Sequence, residues 1–301
     1  MKSLTKSELI KTSFGRSTRI EFLRKIYVLN KVYSNKLYLR SRTVQMRITD
    51  KKYLSNFRDV LEMDIEEMLE NNTSRQRDIN LDFRIKTSAV YSANIEGNSV
   101  DINSYMNSEI SKESFKPRKE IEEISDLIKA YQFAIEHKLN EVNLLEAHRL
   151  LSETILIRDK RGRYRTDRMG VYDNSGLVYL AVEPEKVNSE TKIFFSDIET
   201  LLKENMDAIE IFYHASLIHL KFAQIHPFWD GNGRASRLLE KWFLAEKLGA
   251  KAWKIESEHF YKENIQHYYK NINLGMDYYS LNDEKCIPFL KMLADSLKNI
   301  G

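Results

Sequence analysis

His226-Pro227-Phe228-Trp229-Asp230-Gly231-Asn232-Gly233-Arg234-Ala235-Ser236-Arg237 packs a candidate base, a carboxylate, a Gly-Asn-Gly turn and two arginines into one short run. Each part suits the handling of a polyphosphate. Gly231 and Gly233 lack a Cβ, so the backbone can turn sharply and approach a ligand closely. Successive N–H groups in such a turn form an anion-binding nest. The residues that follow, Ala235 to Glu246, read as a helix whose positive dipole end faces the same anion. Arg234 and Arg237 are three apart and share one helical face. Their guanidinium forks match phosphate oxygens. Asp230 is the kind of hard oxygen ligand that Mg²⁺ takes beside substrate phosphates. Histidine ordinarily titrates near neutrality, so His226 is a candidate general base. Taken singly, these residues are ordinary turn and surface chemistry. Their combination in fixed order is what points to a phosphate site.

Working outward, Asp207 to Ala223 carries Ala208, Ile211, Phe212, Ala215, Ile218, His219 and Phe222 on a nearly continuous apolar face. The loop therefore lies between two buried helices, which would hold a site rigidly. Helical spacing also predicts helices over Thr18–Val32, Lys51–Leu69, Asp82–Asn94, Glu120–Glu136, Leu144–Ile155, from Ser189 onward, and over 257–279 and 284–299. Gly97 suits the residue just past a helix end. Arg40–Arg47 alternates as a short strand does, and Glu70–Arg75 reads as a polar linker. Met169–Tyr172 and Leu177–Leu180 read as a hairpin joined by a four-residue turn, Asp173–Gly176. The expected class is all-α with one small hairpin, organised as an N-terminal, mostly helical extension over 1–80 and a main body over 81–301.

Composition agrees. Only 10 Gly and 4 Pro in 301 residues favour long helices over many turns. A net charge of +3, from 47 basic and 44 acidic residues, is too balanced to suggest a nucleic-acid or membrane partner. The single cysteine, Cys286, excludes an intramolecular disulfide and fits a reducing, cytoplasmic setting. The first residues lack the apolar core of a signal peptide, and no apolar run approaches bilayer length.

The run from His226 to Arg237 resembles the signature of the Fic family, His-Pro-Phe-x-Asp/Glu-Gly-Asn-Gly-Arg-x-x-Arg, and meets it at every specified position. The resemblance implies a Fic-type helical bundle over residues 85–295, with a β-hairpin flap at 169–180. It also implies transfer of a nucleoside monophosphate, most often AMP from ATP, to a Tyr, Ser or Thr hydroxyl of a protein target. Carried over by position, His226 is the general base, Phe228 a buried anchor and Asp230 the Mg²⁺ ligand. Gly231, Asn232 and Gly233 cradle phosphate oxygens, Arg234 meets the β-phosphate and Arg237 the γ-phosphate. Tyr268 and Tyr269 fall where such proteins pack the nucleoside, and the flap takes the target segment as an added strand.

A second motif, Ser92-Ala93-Asn94-Ile95-Glu96-Gly97, is similar to the family's inhibitory pattern, Ser/Thr-x-x-x-Glu-Gly/Asn, on a helix over 83–97. It implies that Glu96 pairs with Arg237 in a forked ion pair and holds the enzyme back. Several alternatives stay open: AMP removal as well as addition, another nucleotide donor such as UTP or GTP, phosphate or phosphocholine transfer, or nucleotide binding without turnover. Gly233, where the phosphotransferase branch carries Lys, favours nucleotidyl transfer. Self-modification and a homodimer are further expectations from the resemblance.

Overall fold

The computed structural model describes residues 3–5, 45–75, 80–110, 117–173 and 176–298. In chain order the described helices are α1 (Leu54–Asp59), α2 (Ile65–Arg75), α3 (Leu81–Ile95), α4 (Ile102–Ile110), α5 (Arg118–Glu136) and α6 (Glu141–Leu151). Then come α7 (Pro184–Lys203), α8 (Ala208–Ile225), α9 (Asn232–Leu248), α10 (Ser257–Glu263), α11 (Ile265–Ile272) and α12 (Ile287–Asp295). The described strands are β1 (Ser3–Thr5), β2 (Met169–Asp173) and β3 (Gly176–Leu180). The all-α class with a small sheet is what the sequence led us to expect.

Helix α8 is the axis of the fold. Its start is closed by a reciprocal cap: Asp207 Oδ1 accepts from the Glu210 N–H at 2.8 Å, and Glu210 Oε2 accepts from the Asp207 N–H at 3.2 Å. Residues on every side of it are buried, Phe212, Tyr213, Leu217, Leu220 and Phe222 among them. Each such large apolar side chain contributes roughly 1.5–3 kcal/mol by leaving water. Helix α9 packs along α8, and α3 lies against α5 and α10. Residues 45–75 join the same core through Ile48, Tyr53, Phe57, Ile65 and Leu69. The Tyr213 hydroxyl donates to the Asp50 carbonyl at 3.0 Å, and Lys51 and Arg58 pair with Glu210 and Asp207 at the head of α8.

Several boundaries differ from the expected ones, each for a local reason. The helix expected over 51–69 is two, because Asp64 accepts from the Glu66 and Glu67 N–H groups and starts a new one. The polar stretch 70–75 continues α2 and is not a linker. The 257–279 stretch breaks at Asn264 into α10 and α11 and ends at Ile272. The hairpin pairs as far as Asp173↔Gly176, leaving two residues between the strands where four were expected. Gly176, at φ 124, takes a conformation closed to most side chains. The helix expected at 18–32 lies outside the described residues, as does most of the strand expected at 40–47; residues 45–47 form no strand. The sheet has a strand that periodicity did not suggest. β1 pairs antiparallel with the outer edge of β2, Ser3 opposite Val171 and Thr5 opposite Met169.

Candidate active site

Helix α8 stops at His226, which sits at φ 51, ψ 57 and is the one described non-glycine residue at positive φ. Such a conformation costs about 1–3 kcal/mol and persists only where the surroundings enforce it. Arg165 does so. It is 2% exposed, and its Nε donates to the His226 carbonyl at 2.7 Å, while Nη2 reaches the Val182 and Ile225 carbonyls. The Arg165 N–H donates to the Pro227 carbonyl at 2.8 Å. One arginine thus takes up the carbonyls that a helix end leaves over. The His226 Nδ1 lies 3.3 Å from the Ala223 carbonyl. A carbonyl only accepts, so Nδ1 carries the proton there and Nε2 keeps its lone pair. That Nε2 is buried and has no hydrogen-bond partner among the described residues, and His226 lines a cleft. Burial, reinforced by Arg165, pulls His226 down to about 4, so the ring is neutral across the physiological range.

The turn itself is clipped by a side chain. Asn232 Oδ1 accepts from the Phe228 N–H at 2.8 Å and its Nδ2 donates to the Phe228 carbonyl at 2.9 Å. The side-chain amide of Asn232 is therefore spent on the loop backbone, and its backbone N–H is what remains for an anion. Phe228 is fully buried and stacks on His148 with ring centres 3.5 Å apart. His148 accepts from the Gly162 N–H and donates through Nε2 to the Asp230 carbonyl at 2.9 Å. Asp230 Oδ1 accepts from the Gly231 N–H at 2.7 Å. Burial pushes this carboxyl up, against the pull of Arg234. Gly231 is at φ 79, and α9 begins at the next residue. The N–H groups of Asn232, Gly233 and Arg234 are those that a helix start leaves without intrahelical partners. Among the described residues no three His, Cys, Asp or Glu side chains gather as metal ligands. Asp230 alone still fits Mg²⁺, which takes most of its shell from water and phosphate.

Arg234 is 7% exposed, and its Nε and Nη1 are buried without a hydrogen-bond partner among the described residues. A buried cation with free donors suits an anion. Arg237 is different. Its Nε donates to Ser92 Oγ at 2.9 Å, Nη1 to the Tyr268 hydroxyl at 3.1 Å, and Nη2 to both the Ser92 carbonyl and Glu96 Oε1, the latter at 2.8 Å. The pair with Glu96 is a single bond rather than the forked one expected, because Ser92 and Tyr268 hold the remaining donors. Burial works against the Glu96 charge, but Arg237 and Arg234 outweigh it and hold the carboxyl below its ordinary value.

Helix α3 delivers Glu96 by the way it ends. The Asn98 N–H donates to the Ala93 carbonyl and the Gly97 N–H to the Asn94 carbonyl, with Gly97 at φ 95. This is a Schellman cap, which needs a residue tolerant of positive φ. The Glu96 N–H turns to the Ala93 and Asn94 carbonyls, so the Ser92 carbonyl is open to Arg237. Lys262 and Tyr269 take the Asn94 and Ile95 carbonyls.

Tyr268 and Tyr269 border the cleft but have other work than stacking. Tyr268 bridges Arg237 to His219, whose Nδ1 lies 2.8 Å from Glu240, all fully or nearly buried. The cleft is lined by Glu96, Gly233 and His226 on one side and by Val171, Val178 and Tyr179 of the hairpin on the other. The Tyr179 hydroxyl donates to the Gln224 carbonyl at 2.7 Å and ties hairpin to α8. Gln224 also borders the cleft, with a buried Nε2 that lacks a partner among the described residues. Sequence reasoning missed Arg165, His148, Gln224 and Glu240. For His148, Gln224 and Glu240 the available signal was a polar residue on a helix that buries it; Arg165 lies outside any helix or strand, and periodicity gave no signal for it.

Comparison with known proteins follows the same residues. The Fic/DOC family matches residues 138–244. A protein from Nematostella vectensis named Protein adenylyltransferase Fic is 35% identical over 78 residues, 26% of this chain and 16% of its own length. The chain thus spans about a sixth of that relative's length. A Fic family protein from Desulfovibrio desulfuricans superposes with TM-score 0.66 at 22% identity, covering 85% of this chain and 75% of the other. A C. elegans Fic-1 fragment does so with TM-score 0.53 at 19% identity, covering 94% and 75%.

Proposed function

This chain is a Fic family protein, and on that premise we propose that it is a protein adenylyltransferase, moving AMP from ATP to a side-chain hydroxyl of a protein and restrained by its own Glu96. The observation that carries the reading is the neutral Nε2 of His226, buried, unpaired among the described residues and set beside a cleft that Gly233 of α9 also lines. A hydroxyl titrates far above neutrality, so attack at phosphorus gains from a positioned base. His226 accepts the proton at Nε2 as the acceptor oxygen bonds to the α-phosphorus and pyrophosphate leaves. The open N–H groups at the head of α9 and the free donors of Arg234 stabilise the charge that grows on the leaving group. The residues suit a magnesium nucleotide: Asp230 would hold Mg²⁺, which when bound supplies charge neutralisation on the phosphate oxygens.

Restraint by Glu96 follows from the same geometry. Its carboxylate takes one donor of Arg237 and lies against Gly233, so negative charge already occupies the helix N-terminus that a terminal phosphate needs. The test compares wild type, Glu96→Gly and Glu96→Gly/His226→Ala with α-³²P-ATP and Mg²⁺, on the protein alone and with a cell lysate. Protein label that rises in the single variant and disappears in the double is the expected result. Equal labelling of wild type and Glu96→Gly sinks the restraint, and the absence of label from all three sinks adenylyl transfer.

A further inference from the structure

Arg237 is held from two directions. Ser92 of α3 and Glu96 at its cap take Nε and Nη2. The bond from Nη1 leads elsewhere, to the Tyr268 hydroxyl of α11 at 3.1 Å. Behind that hydroxyl stand His219 of α8, with Nε2 2.9 Å away, and Glu240 of α9, 2.8 Å from His219 Nδ1. Tyr261 of α10 donates to both oxygens of Glu240, at 2.9 and 3.0 Å. None of these four side chains is more than 2% exposed. The bonds have a direction. A carboxylate only accepts, so His219 Nδ1 carries a hydrogen toward Glu240. The Tyr268 oxygen accepts from Arg237, so its own hydrogen turns to His219 Nε2. Each donor from Arg237 inward thus meets an acceptor, and the line ends on an anion, which polarises and strengthens every bond along it.

We propose that Tyr268, His219 and Glu240 are positioning residues that hold Arg237 ready for the terminal phosphate of bound ATP once Glu96 has withdrawn. The inference rests on the nucleotide site proposed above and adds how its second arginine is aimed. Ser92 and Glu96 both belong to the end of α3, so a shift of that end loosens their bonds to Arg237 together. The line through Tyr268 runs over α11, α8 and α9 and involves no residue of α3. The Tyr268 ring adds to it, 5.9 Å from Arg237 Cζ and within reach of a cation–π contact. With Glu96 gone, the Nη2 hydrogen that it held turns to a phosphate oxygen, while Nη1 stays tied and the fork keeps its direction. An arginine left to swing would lose that freedom on binding, and affinity would fall.

The experiment uses the full-length protein carrying Glu96→Gly and His226→Ala, so that ATP binds without the restraint and is not consumed. Calorimetric titration with magnesium ATP and with magnesium ADP gives both affinities, for this parent and with Tyr268→Phe or Glu240→Gln added. Tyr268→Phe keeps the ring and deletes only the hydroxyl. The expected result is ATP weakened about tenfold by Tyr268→Phe, as for one lost hydrogen bond to a charged group, and ADP unchanged. Glu240→Gln keeps the shape and removes the anion, so it should weaken ATP by a smaller factor and spare ADP. ATP and ADP weakened alike means a merely structural role and overturns the inference, as does no change in either. An ATP-specific loss confined to Tyr268→Phe overturns the part given to Glu240. Binding of neither nucleotide to the parent overturns this inference and the proposed function together. The ATP-specific losses, with no label from Glu96→Gly, sink adenylyl transfer and leave the positioning role standing.

Discussion

A Cβ built on Gly233 runs into Oε1 of Glu96, so the head of α9 and the tail of α3 meet through a glycine and a carboxylate. The contact explains why the second glycine of the turn carries no side chain here. It also makes Glu96 a built-in anion at a site shaped for anions, and the stability of the protein should report on that.

Replacing Glu96 with Gln keeps its size and removes its charge. Arg237 is fully buried and Glu96 one-fifth exposed, with Ser92 and Tyr268 still bonded to the guanidinium. The expected cost is about 2 kcal/mol, below the range for a fully buried pair. Pyrophosphate should raise the melting temperature of Glu96→Gln more than that of wild type, since it binds the native state without a competitor. Calorimetry with and without pyrophosphate checks this; equal shifts would remove Glu96 from the anion site.

Gly97→Ala tests how the cap aims Glu96. No atom of the described residues lies near the added Cβ, so the effect comes from φ 95. The expected loss is about 1 kcal/mol in urea denaturation. Because the cap sets the direction of Glu96, self-labelling should also rise above wild type. A stable variant with unchanged labelling would uncouple the cap from restraint.

Asn232→Ala removes both bonds of the clip. The Phe228 N–H and carbonyl would be left buried and unpaired, at a cost of about 1–3 kcal/mol for each group. Asn232→Asp keeps the acceptor and loses the donor, so it should fall between Ala and wild type. Chemical denaturation of the three proteins gives the order.

Acid should weaken the protein before ordinary carboxylates titrate. His148 and His226 are each drawn from an ordinary value of 6.5 down to about 4, chiefly by burial. Between those values the unfolded chain binds more protons than the folded one. Their contribution is therefore complete above pH 6.5 and is lost as pH falls toward 4. Glu96, held below its ordinary 4.5, adds a contribution present above that value and lost as pH falls through its lower folded one. Melting temperature should fall between pH 6.5 and 4.5, less steeply in His148→Asn. An identical slope in that variant would count against His148.

The helices around the site were legible because their periodicity is strong. Ala208–Ile225 repeats apolar residues on nearly every face, and Arg118–Glu136 on one. Breaks inside helices were not legible. Asp64 and Asn264 interrupt stretches whose apolar spacing runs straight through them; Asp64 accepts from the Glu66 and Glu67 N–H groups and the Asn264 amide donates to the Phe260 carbonyl, and such side-chain competition for the backbone is visible only with geometry. The residues of the loop were legible as a set, but not the division of labour among them. Nothing in the spacing says that Asn232 faces back to Phe228, or that Tyr268 serves Arg237.

Sequence by itself determined the helical class, the position of the turn between two buried helices, and the types of side chain brought to it. Those follow from periodicity and from glycine's freedom of backbone, which are local properties. Tertiary structure alone decided that Glu96, 141 residues from Arg237 in sequence, lies within 2.8 Å of it. It also decided that Arg165 holds His226 in a left-handed turn. Such contacts depend on how α3, α8 and α9 pack, and packing is set by the whole core rather than by any segment of it.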